Sequence, residues 1–348
     1  MAAISQPMHT LAQAIYGLYE QREAEQTPRM YLGGSSLGEP CARKLWLGFR
    51  LVAREKFNGR MLRLFQTGHR EEARLLDDLR AIGMQVWDRQ PDGTQFAVQT
   101  LGGHLRGHLD AVVLGLPEAP KTPHLADVKT ISAKKLAELH KTGFRKQYPK
   151  YWAQGQFYMG LMSLERAAFV FVCKDTDEIH VERFEFDQVE FDRLIERAEK
   201  IVFAAEPPPR ISEDAAWFEC KYCHFHEHCH GTAAPTPTCR SCAHVTPERD
   251  GTWSCERHQT TLTADRQRTG CDDHRVIPIL LSRWAEQADV IDGNAVVYRN
   301  KLTGNQFVNG PRPDGYTSDE LAACEDKRAI GEPGLKTFRD EFAGKVVA

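Results

Sequence analysis

Two short segments carry acidic side chains at positions where they could hold a metal ion. Gly107-His108-Leu109-Asp110 is followed by Asp127-Val128-Lys129. Because alternate residues of a strand share a face, Asp127 and Lys129 point the same way, and Asp110 on the neighbouring predicted strand can join them. Two acids and a lysine on one sheet face are costly to bury unless they bind something. Carboxylates suit Mg²⁺ or Mn²⁺, which would activate water and stabilise charge on a phosphate.

A third acid is expected from the helix that precedes these strands. Glu72 lies four residues after Gly68 on the inward stripe of that predicted helix, with His69 one turn earlier on the same face. Lys129 would then hold the attacking water or the developing oxyanion. An isolated Asp-Val-Lys triplet is also common as a surface ion pair, so the triplet alone does not establish a site. His104 and His108 are interpreted as hydrogen-bonded structural histidines.

Eight of the ten cysteines fall into two spaced sets. Clustered cysteines in a reducing compartment usually bind metal rather than form disulfides. The first set has C-x2-C-x5-C spacing and lacks a fourth ligand nearby: Cys220, Cys223 and Cys229. The second set suggests a small zinc module, with reduced unliganded cysteines as the alternative: Cys239, Cys242, Cys255 and Cys271. Cys173 and Cys324 stand apart, and Cys173 is predicted to be core.

The elements that must position these residues follow from the spacing of apolar side chains. Helices are predicted at residues 8–23, 43–47, 60–80, 151–163 and 191–205. Strands are predicted at residues 84–87, 95–98, 105–114, 125–130, 168–173 and 180–186. This order predicts an α/β fold, with a mixed central β-sheet flanked by helices. After Ala233, two prolines mark a linker, and the tail shows a hairpin at 298–308 and a capping box at Thr317 that opens a last helix.

The bulk composition is that of an ordinary soluble globular protein. The chain has 348 residues, 41% hydrophobic and 27% charged, with a net charge of -3. No apolar run approaches the ~20 residues of a membrane helix, and the N-terminus lacks a secretory pattern, so no membrane association and a cytoplasmic location are expected. No phosphate-binding loop of the Walker type occurs, which argues against an ATP-driven motor.

Two basic runs flank the proposed site and could bind phosphates, although solvated helix faces are the alternative. The first covers residues 43–63, with seven Lys and Arg against Glu55 alone, and the second covers residues 129–150, with seven against Glu138 alone.

The motifs together resemble the RecB-like PD-(D/E)xK nucleases, most closely the CRISPR-associated and phage exonucleases. Four of them stand in that family's order: 68–72, 107–110, 127–129 and the Gln-x-x-x-Tyr element from Gln154 to Tyr158. The resemblance spans roughly Ser35 to Cys229 and implies a restriction-endonuclease-like core. It also implies specific roles: metal ligands at Glu72, Asp110, Asp127 and the Val128 carbonyl, a catalytic Lys129, and Gln154 and Tyr158 orienting the site or touching DNA. Many relatives have His where Glu72 stands, so Glu71 and His69 stay open as ligands.

The iron–sulfur branch of that family has one cysteine before the nuclease core and three after it. The resemblance therefore implies a [4Fe-4S] cluster on Cys41, Cys220, Cys223 and Cys229. Zinc accepts the same four thiolates and stays an alternative, since four histidines lie beside this set: His224, His226, His228 and His230.

The expected protein is a metal-dependent DNA exonuclease acting on single strands or duplex ends, in phage recombination or DNA repair. A recombination partner protein is a further expectation. Residues 1–232 would form the nuclease domain and residues 233–348 a cysteine-rich module. Two alternatives come from other classes: an inactive DNA-binding or assembly factor with the same fold, and a zinc-dependent regulator in which the tail does the work.

Overall fold

A computed structural model describes residues 10–291, 293–311, 315–342 and 344–346. The helices of this part are α1 Leu11–Ala24, α2 Ala42–Phe49, α3 Gly59–Ala81, α4 Ala133–Thr142, α5 Phe144–Gln147, α6 Pro149–Met162, α7 Gln188–Val202, α8 Phe218–Lys221, α9 His226–Cys229, α10 Ala264–Gln267, α11 Ser318–Ala323 and α12 Pro333–Phe342. The strands are β1 Leu32–Gly33, β2 Gln85–Trp87, β3 Ala97–Thr100, β4 Leu105–His108, β5 Ala111–Leu114, β6 His124–Ile131, β7 Arg166–Cys173, β8 Ile179–Glu185, β9 Val245–Pro247, β10 Trp253–Cys255, β11 Thr260–Thr261, β12 Ala285–Ile291, β13 Ala295–Asn300 and β14 Gln306–Asn309.

The central sheet has five strands in the order β2-β5-β6-β7-β8. Strands β6 and β7 are parallel, and the other pairs are antiparallel. A parallel pair needs a crossover connection, which α4, α5 and α6 supply. Helix α3 buries Leu75 and Leu76 against one face of the sheet, where Val128 points. Phe157 of α6 packs with Leu125 on the other face. The mixed sheet flanked by helices confirms the predicted fold class.

The predicted strand 105–114 is in fact two strands that belong to different sheets. Strand β4 lies between β1 and β3 in a small sheet, whereas β5 joins the central sheet. The break falls at Asp110, whose Oδ2 accepts the backbone N–H of Val128 at 2.8 Å. The Asp110 carboxylate therefore accepts the Val128 N–H, which a backbone carbonyl of the neighbouring strand would otherwise accept. The backbone hydrogen bonds between β5 and β6 end at this point.

Six helices of the described residues were not predicted: α4, α5, α8, α9, α10 and α12. Helix α4 is capped by the Ser132 hydroxyl and buries Leu136 and Leu139, although its sequence reads mainly as a basic run. Helix α11 begins at the predicted capping box on Thr317, but it is not the last helix, because α12 follows. The other predicted helices and strands are present within a few residues of their expected bounds, apart from the start of the helix at 8–23, where residues 8 and 9 lie outside the described residues.

The C-terminal part packs directly on the part that carries the central sheet. One buried apolar cluster runs from Leu32 to Ile330 and includes residues of both. Two turns interlock where they meet: Gly102 and Gly251 have positive φ angles of 67° and 92°, and a Cβ on Gly251 would stand 1.8 Å from the Gly102 carbonyl oxygen. His104 lies beside them, with its Nε2 2.7 Å from the Glu248 carbonyl oxygen, which confirms its structural role. In the part of the chain described, no helix has the length and apolar character needed to cross a membrane.

Candidate active site

Asp110 and Asp127 meet at the point where β5 and β6 separate. The antiparallel register pairs Ala111 with Ala126, which places Asp110 directly across from Asp127. Asp127 is 1% exposed, and burial is the main cause that raises the pKa of its carboxyl, with Asp110 and Glu72 adding to the rise and Lys129 opposing it. The two acids therefore lie across from each other on neighbouring segments, and Asp127 is the more buried of the two.

Lys129 supplies the cation of this group. Its Nζ contacts Asp127 Oδ1 and lies 5.1 Å from the centroid of the Tyr151 ring. Burial acts to lower the pKa of Lys129, but the carboxylates of Asp127 and Asp110 outweigh it, so the pKa is raised. The amine of Lys129 is therefore protonated and positively charged at neutral pH.

Glu72 is the third acid, and it comes from α3. Burial and the Asp110 carboxylate raise its pKa to about 7, although Lys129 acts in the opposite direction. Its neighbour Glu71 instead pairs with Arg74 at 3.4 Å. His69 lines the same pocket as Glu72. Of the two adjacent glutamates, Glu72 is thus the one that faces the other acids.

Helix α6 contributes Gln154 and Tyr158, which lie one turn apart on the same face. The Gln154 Nε2 donates to Asp127 Oδ2 at 2.5 Å. Tyr158 packs on Gly107, where an added Cβ would stand 2.2 Å from Tyr158 Cε1 and 2.7 Å from its hydroxyl. Glycine at 107 thus lets α6 approach the strand that leads to Asp110, which explains the Gly107 of the motif.

The donor set fits a hard divalent cation. Asp127 Oδ1 is buried and makes no hydrogen bond of normal geometry, although Lys129 touches it. One ammonium group cannot balance three carboxylates, and Asp110 acts to raise the pKa of both Glu72 and Asp127. A divalent cation with oxygen ligands can balance them. Within the ranges described, no three His, Cys, Asp or Glu side chains already stand at metal-binding geometry. Glu72 and Asp110 line one pocket, and Asp127 lies buried behind Asp110 on the neighbouring strand.

The pocket in front of these acids has a volume of about 600 Å³ and carries cations that the sequence analysis missed. Arg29 and Arg106 both lie over the Tyr31 ring, at 5.4 and 5.8 Å from its centroid. His108 also lines the pocket, with its ring centroid 6.3 Å from that of Tyr31. No motif marks Arg29 or Tyr31, because parallel pairing of β1 with β4 brings them to the site.

The two basic runs have different outcomes. In the first run, Arg43 and Arg50 are 6% and 3% exposed, so they cannot contact a substrate, and the expectation of a basic path there is wrong for these two residues. In the second run, the lysines of α4 are exposed at Lys134, Lys135 and Lys141. This run begins at Lys129 and continues directly from the strand that carries the site.

Both cysteine sets are brought together by the fold. The thiols of the first set line one small cavity of about 20 Å³: Cys41, Cys220, Cys223 and Cys229. Burial is the main cause that raises the pKa of Cys229, and a hydrogen bond from Arg43 opposes it. The second set lines another cavity: Cys239, Cys242, Cys255 and Cys271. Cys173 is fully buried, which confirms it as core.

Comparison with known proteins assigns the family. A sequence model of the PD-(D/E)XK nuclease superfamily matches residues 6–230. That match covers more than half of the chain, and the chain therefore belongs to the PD-(D/E)XK nuclease superfamily. Its mixed sheet flanked by helices is the restriction-endonuclease-like fold expected of that family. No curated protein sequence matches the chain.

Several solved structures are similar at low identity. The crystal structure of SSO0001 is 16% identical with a TM-score of 0.39, over 62% of this chain and 93% of that chain. An alkaline exonuclease (LHK-Exo) from Laribacter hongkongensis is 17% identical with a TM-score of 0.36, over 53% of this chain and 90% of that chain. A phage-related exonuclease from Haemophilus somnus 129PT is 16% identical with a TM-score of 0.35, over 49% of this chain and 91% of that chain. Family membership therefore rests on the sequence match.

Proposed function

We propose that this chain is a Mg²⁺- or Mn²⁺-dependent exonuclease that hydrolyses the phosphodiester bonds of DNA. The observation that carries the proposal is the grouping of three acids around one lysine. Glu72 and Asp110 line one pocket, and Asp127, across the strand pair from Asp110, contacts the protonated Lys129. The metal would be held by these three acids and the Val128 carbonyl oxygen. Bound there, it would supply Lewis-acid stabilisation of the charge that develops on the phosphate.

The chain's own residues have separate tasks in this reaction. Lys129 donates to the attacking water or to a phosphate oxygen, and its positive charge favours the transition state. Gln154 fixes the rotamer of Asp127 through its hydrogen bond, and Tyr158 holds α6 against Gly107. Because Gln154 and Tyr158 are 6% and 2% exposed, orientation of the site suits them better than contact with DNA.

DNA as the substrate is supported by the cations at the mouth of the pocket. Arg29 and Arg106 are exposed there, and arginine forms paired hydrogen bonds with phosphate oxygens. The lysines of α4 extend the positive surface beyond the site. Single strands or duplex ends are the proposed substrates, and phage recombination or DNA repair, with a partner protein, is the proposed setting by family resemblance.

The test compares the wild type with Asp110→Ala, Lys129→Ala and the control Lys121→Ala, which removes an exposed lysine from the loop before β6. End-labelled DNA is incubated with Mn²⁺, and mononucleotide release is followed over time. The proposal expects activity in the wild type and control and its loss in the two site variants. Equal activity in all four proteins would refute the site. DNA binding without cleavage in every protein would favour the inactive binding factor.

We also propose a metal centre on Cys41, Cys220, Cys223 and Cys229 that ties the two ends of the nuclease core together. Cysteine spacing and family resemblance favour a [4Fe-4S] cluster. The narrow cavity, which has room for about one or two water-sized groups, favours a single zinc ion instead. Iron and acid-labile sulfide in the purified protein would establish the cluster, and stoichiometric zinc without iron would exclude it.

Two further assignments complete the proposal. Residues 1–232 form the nuclease domain, and residues 233–348 form a cysteine-rich module. The protein works in the cytoplasm, where reducing conditions keep its cysteines available for metal.

A further inference from the structure

The second cysteine set is assembled from three separate segments of the C-terminal part. Cys239 and Cys242 flank a 3-10 turn, Cys255 ends β10, and Cys271 follows α10. The four cysteines line one cavity, together with His244, His258 and His274. Four mutually close thiols of this kind repel as thiolates unless a cation binds among them.

Backbone N–H groups and a histidine ring lie against two of these sulfurs. The Cys242 sulfur accepts the backbone N–H of Arg275 at 3.5 Å and a second backbone N–H from His244. The Cys271 sulfur lies 3.7 Å from Nε2 of His258. With Zn–S of about 2.3 Å and Zn–N of about 2.0–2.1 Å, two ligands of a tetrahedral zinc stand roughly 3.6 Å apart. The Cys271–His258 distance is therefore that of two neighbouring zinc ligands, and His258 is the nearest alternative ligand to the four cysteines.

Three buried arginines next to this set lack acidic partners. Arg50, Arg240 and Arg275 are 3%, 2% and 1% exposed. Their guanidinium groups donate mainly to carbonyl oxygens, including Arg50 to Val245 at 2.8 Å and Arg240 to Phe49 at 3.0 Å. Among the residues that the structure describes, none of the three forms an ion pair with a carboxylate. A buried charge without a counter-charge costs several kcal/mol. A negative charge close to these guanidinium groups would therefore stabilise the folded protein.

The cysteine set supplies such charge to Arg50. Cys242 acts to raise the pKa of Arg50, against the lowering effect of burial. For Arg275, the carboxylate of Asp273 opposes burial first, and Cys242 adds to it. Four thiolates on one Zn²⁺ carry a formal charge of −2. The same set as neutral thiols would leave the Arg50 guanidinium group with carbonyl oxygens alone.

We propose that Cys239, Cys242, Cys255 and Cys271 bind one zinc ion, and that this zinc–thiolate centre is the counter-charge of the buried Arg50. Zinc binding and docking of the C-terminal part then become one event. Arg240 stands between two of the ligands and reaches back to the carbonyl oxygens of Met30 and Phe49. Arg50 reaches in the opposite direction, to the carbonyl oxygens of Arg240 and Val245.

The site itself is tested in the full-length wild-type protein. Zinc and iron are measured per chain, a zinc chelator is added, and the cysteines that become alkylated are identified by mass spectrometry. The proposal expects one zinc to leave together with protection of the four cysteines of this set. Release of zinc with exposure of Cys41 and Cys220 instead, or iron bound at this set, would overturn it, and so would full alkylation before the chelator is added.

A pair of cysteine variants locates the ion independently. Cys239→Ser with Cys242→Ser should lose one zinc per chain and keep the metal of the other set. The matched control is Cys324→Ser, which removes a buried cysteine outside both sets and should keep the zinc. Unchanged zinc in the double variant would refute the site.

The counter-charge role has its own measurement. Arg50→Met removes one buried charge but keeps much of the side-chain volume, and Arg54→Met removes an exposed arginine four residues away as the control. Because coupled sites typically change each other's affinity by about 5- to 150-fold, zinc affinity measured by chelator competition should fall within that range for Arg50→Met alone. Equal zinc affinity in both variants would refute the electrostatic coupling while leaving the zinc site in place.

Discussion

Replacing Gln154 with leucine removes one hydrogen bond from the acid at the centre of the proposed metal site. The amide donates to Asp127 Oδ2 at 2.5 Å inside the protein, where a hydrogen bond to a charged group contributes about 1.5–3 kcal/mol. Each ~1.4 kcal/mol corresponds to a tenfold change in rate. Gln154→Leu should therefore lower kcat/KM for DNA by about 10- to 150-fold, because Asp127 is no longer held toward the metal.

The loss should depend on the metal concentration. Initial rates of DNA hydrolysis are measured while Mg²⁺ or Mn²⁺ is titrated, and the half-activating concentration is compared with that of the wild type. A poorly oriented Asp127 binds the cation less tightly, so this concentration should rise in Gln154→Leu. A general loss of folded protein would lower the rate at every metal concentration without moving the midpoint.

The matched control is Gln156→Leu on the same helix. Gln156 is also buried, but it bonds the Glu185 carbonyl oxygen at 3.0 Å and the Asp187 N–H at 2.7 Å. Its loss should lower the free energy of unfolding and leave the metal midpoint unchanged. A Gln154→Leu variant with wild-type rate and metal midpoint would refute the assigned role of the Gln154 hydrogen bond.

Three further predictions follow from other contacts. Gly107→Val places a side chain against Tyr158, so we expect a lower free energy of unfolding, by about 1–3 kcal/mol or more, together with loss of activity, measured by thermal unfolding and nuclease assay. Arg29→Ala and Arg106→Ala should each weaken DNA binding and make it less dependent on salt, because each phosphate contact releases counterions; affinity is measured at 50 to 200 mM salt. Burial lowers the pKa of His104 below its usual 6.5. The contribution of neutral His104 to the free energy of unfolding is therefore complete above pH 6.5 and is lost as the pH falls through the lower pKa of the folded state. Denaturant unfolding between pH 8 and 5 measures this loss, and His104→Gln should reduce it.

Each of these three has a distinct contradicting result. Gly68→Ala is the control for the first, since nothing lies within 4 Å of a Cβ at Gly68, and equal instability of both variants would remove the steric explanation. Arg80→Ala, on an exposed arginine held by Asp77 and Asp88, should keep the wild-type salt dependence. A His104→Gln protein that loses stability in acid as steeply as the wild type would show that another group is responsible.

The acids of the site could be predicted from the sequence because their signals are local. Asp127 and Lys129 need only the alternation of a strand, and Glu72 needs only the stripe of a helix. The split between β4 and β5 could not be predicted, since Asp110 ends the strand by bonding Val128, a contact between two segments that no periodicity shows. Helix α4 was missed because its lysines mask a short apolar stripe.

The remaining part of the site depends on tertiary contacts. Arg29 comes from an irregular segment, and the parallel pairing of β1 with β4 decides that it meets Arg106. The burial of Arg43 and Arg50 could not be predicted from the sequence either, because a run of cationic side chains is usually solvated. Their environment is set by segments more than 150 residues away, Pro208 for Arg43 and Val245 for Arg50.

The interlocked turns at Gly102 and Gly251 limit how this gene can diverge. A methyl group at either position would overlap the backbone of the opposite turn. A single substitution at either glycine would therefore disrupt the packing of the C-terminal part on the rest of the protein. A relative that lacked the C-terminal part would not have this steric constraint. At the position of Gly102 it could carry any residue that tolerates a positive φ angle. The two glycines should accordingly be inherited as a pair or lost as a pair.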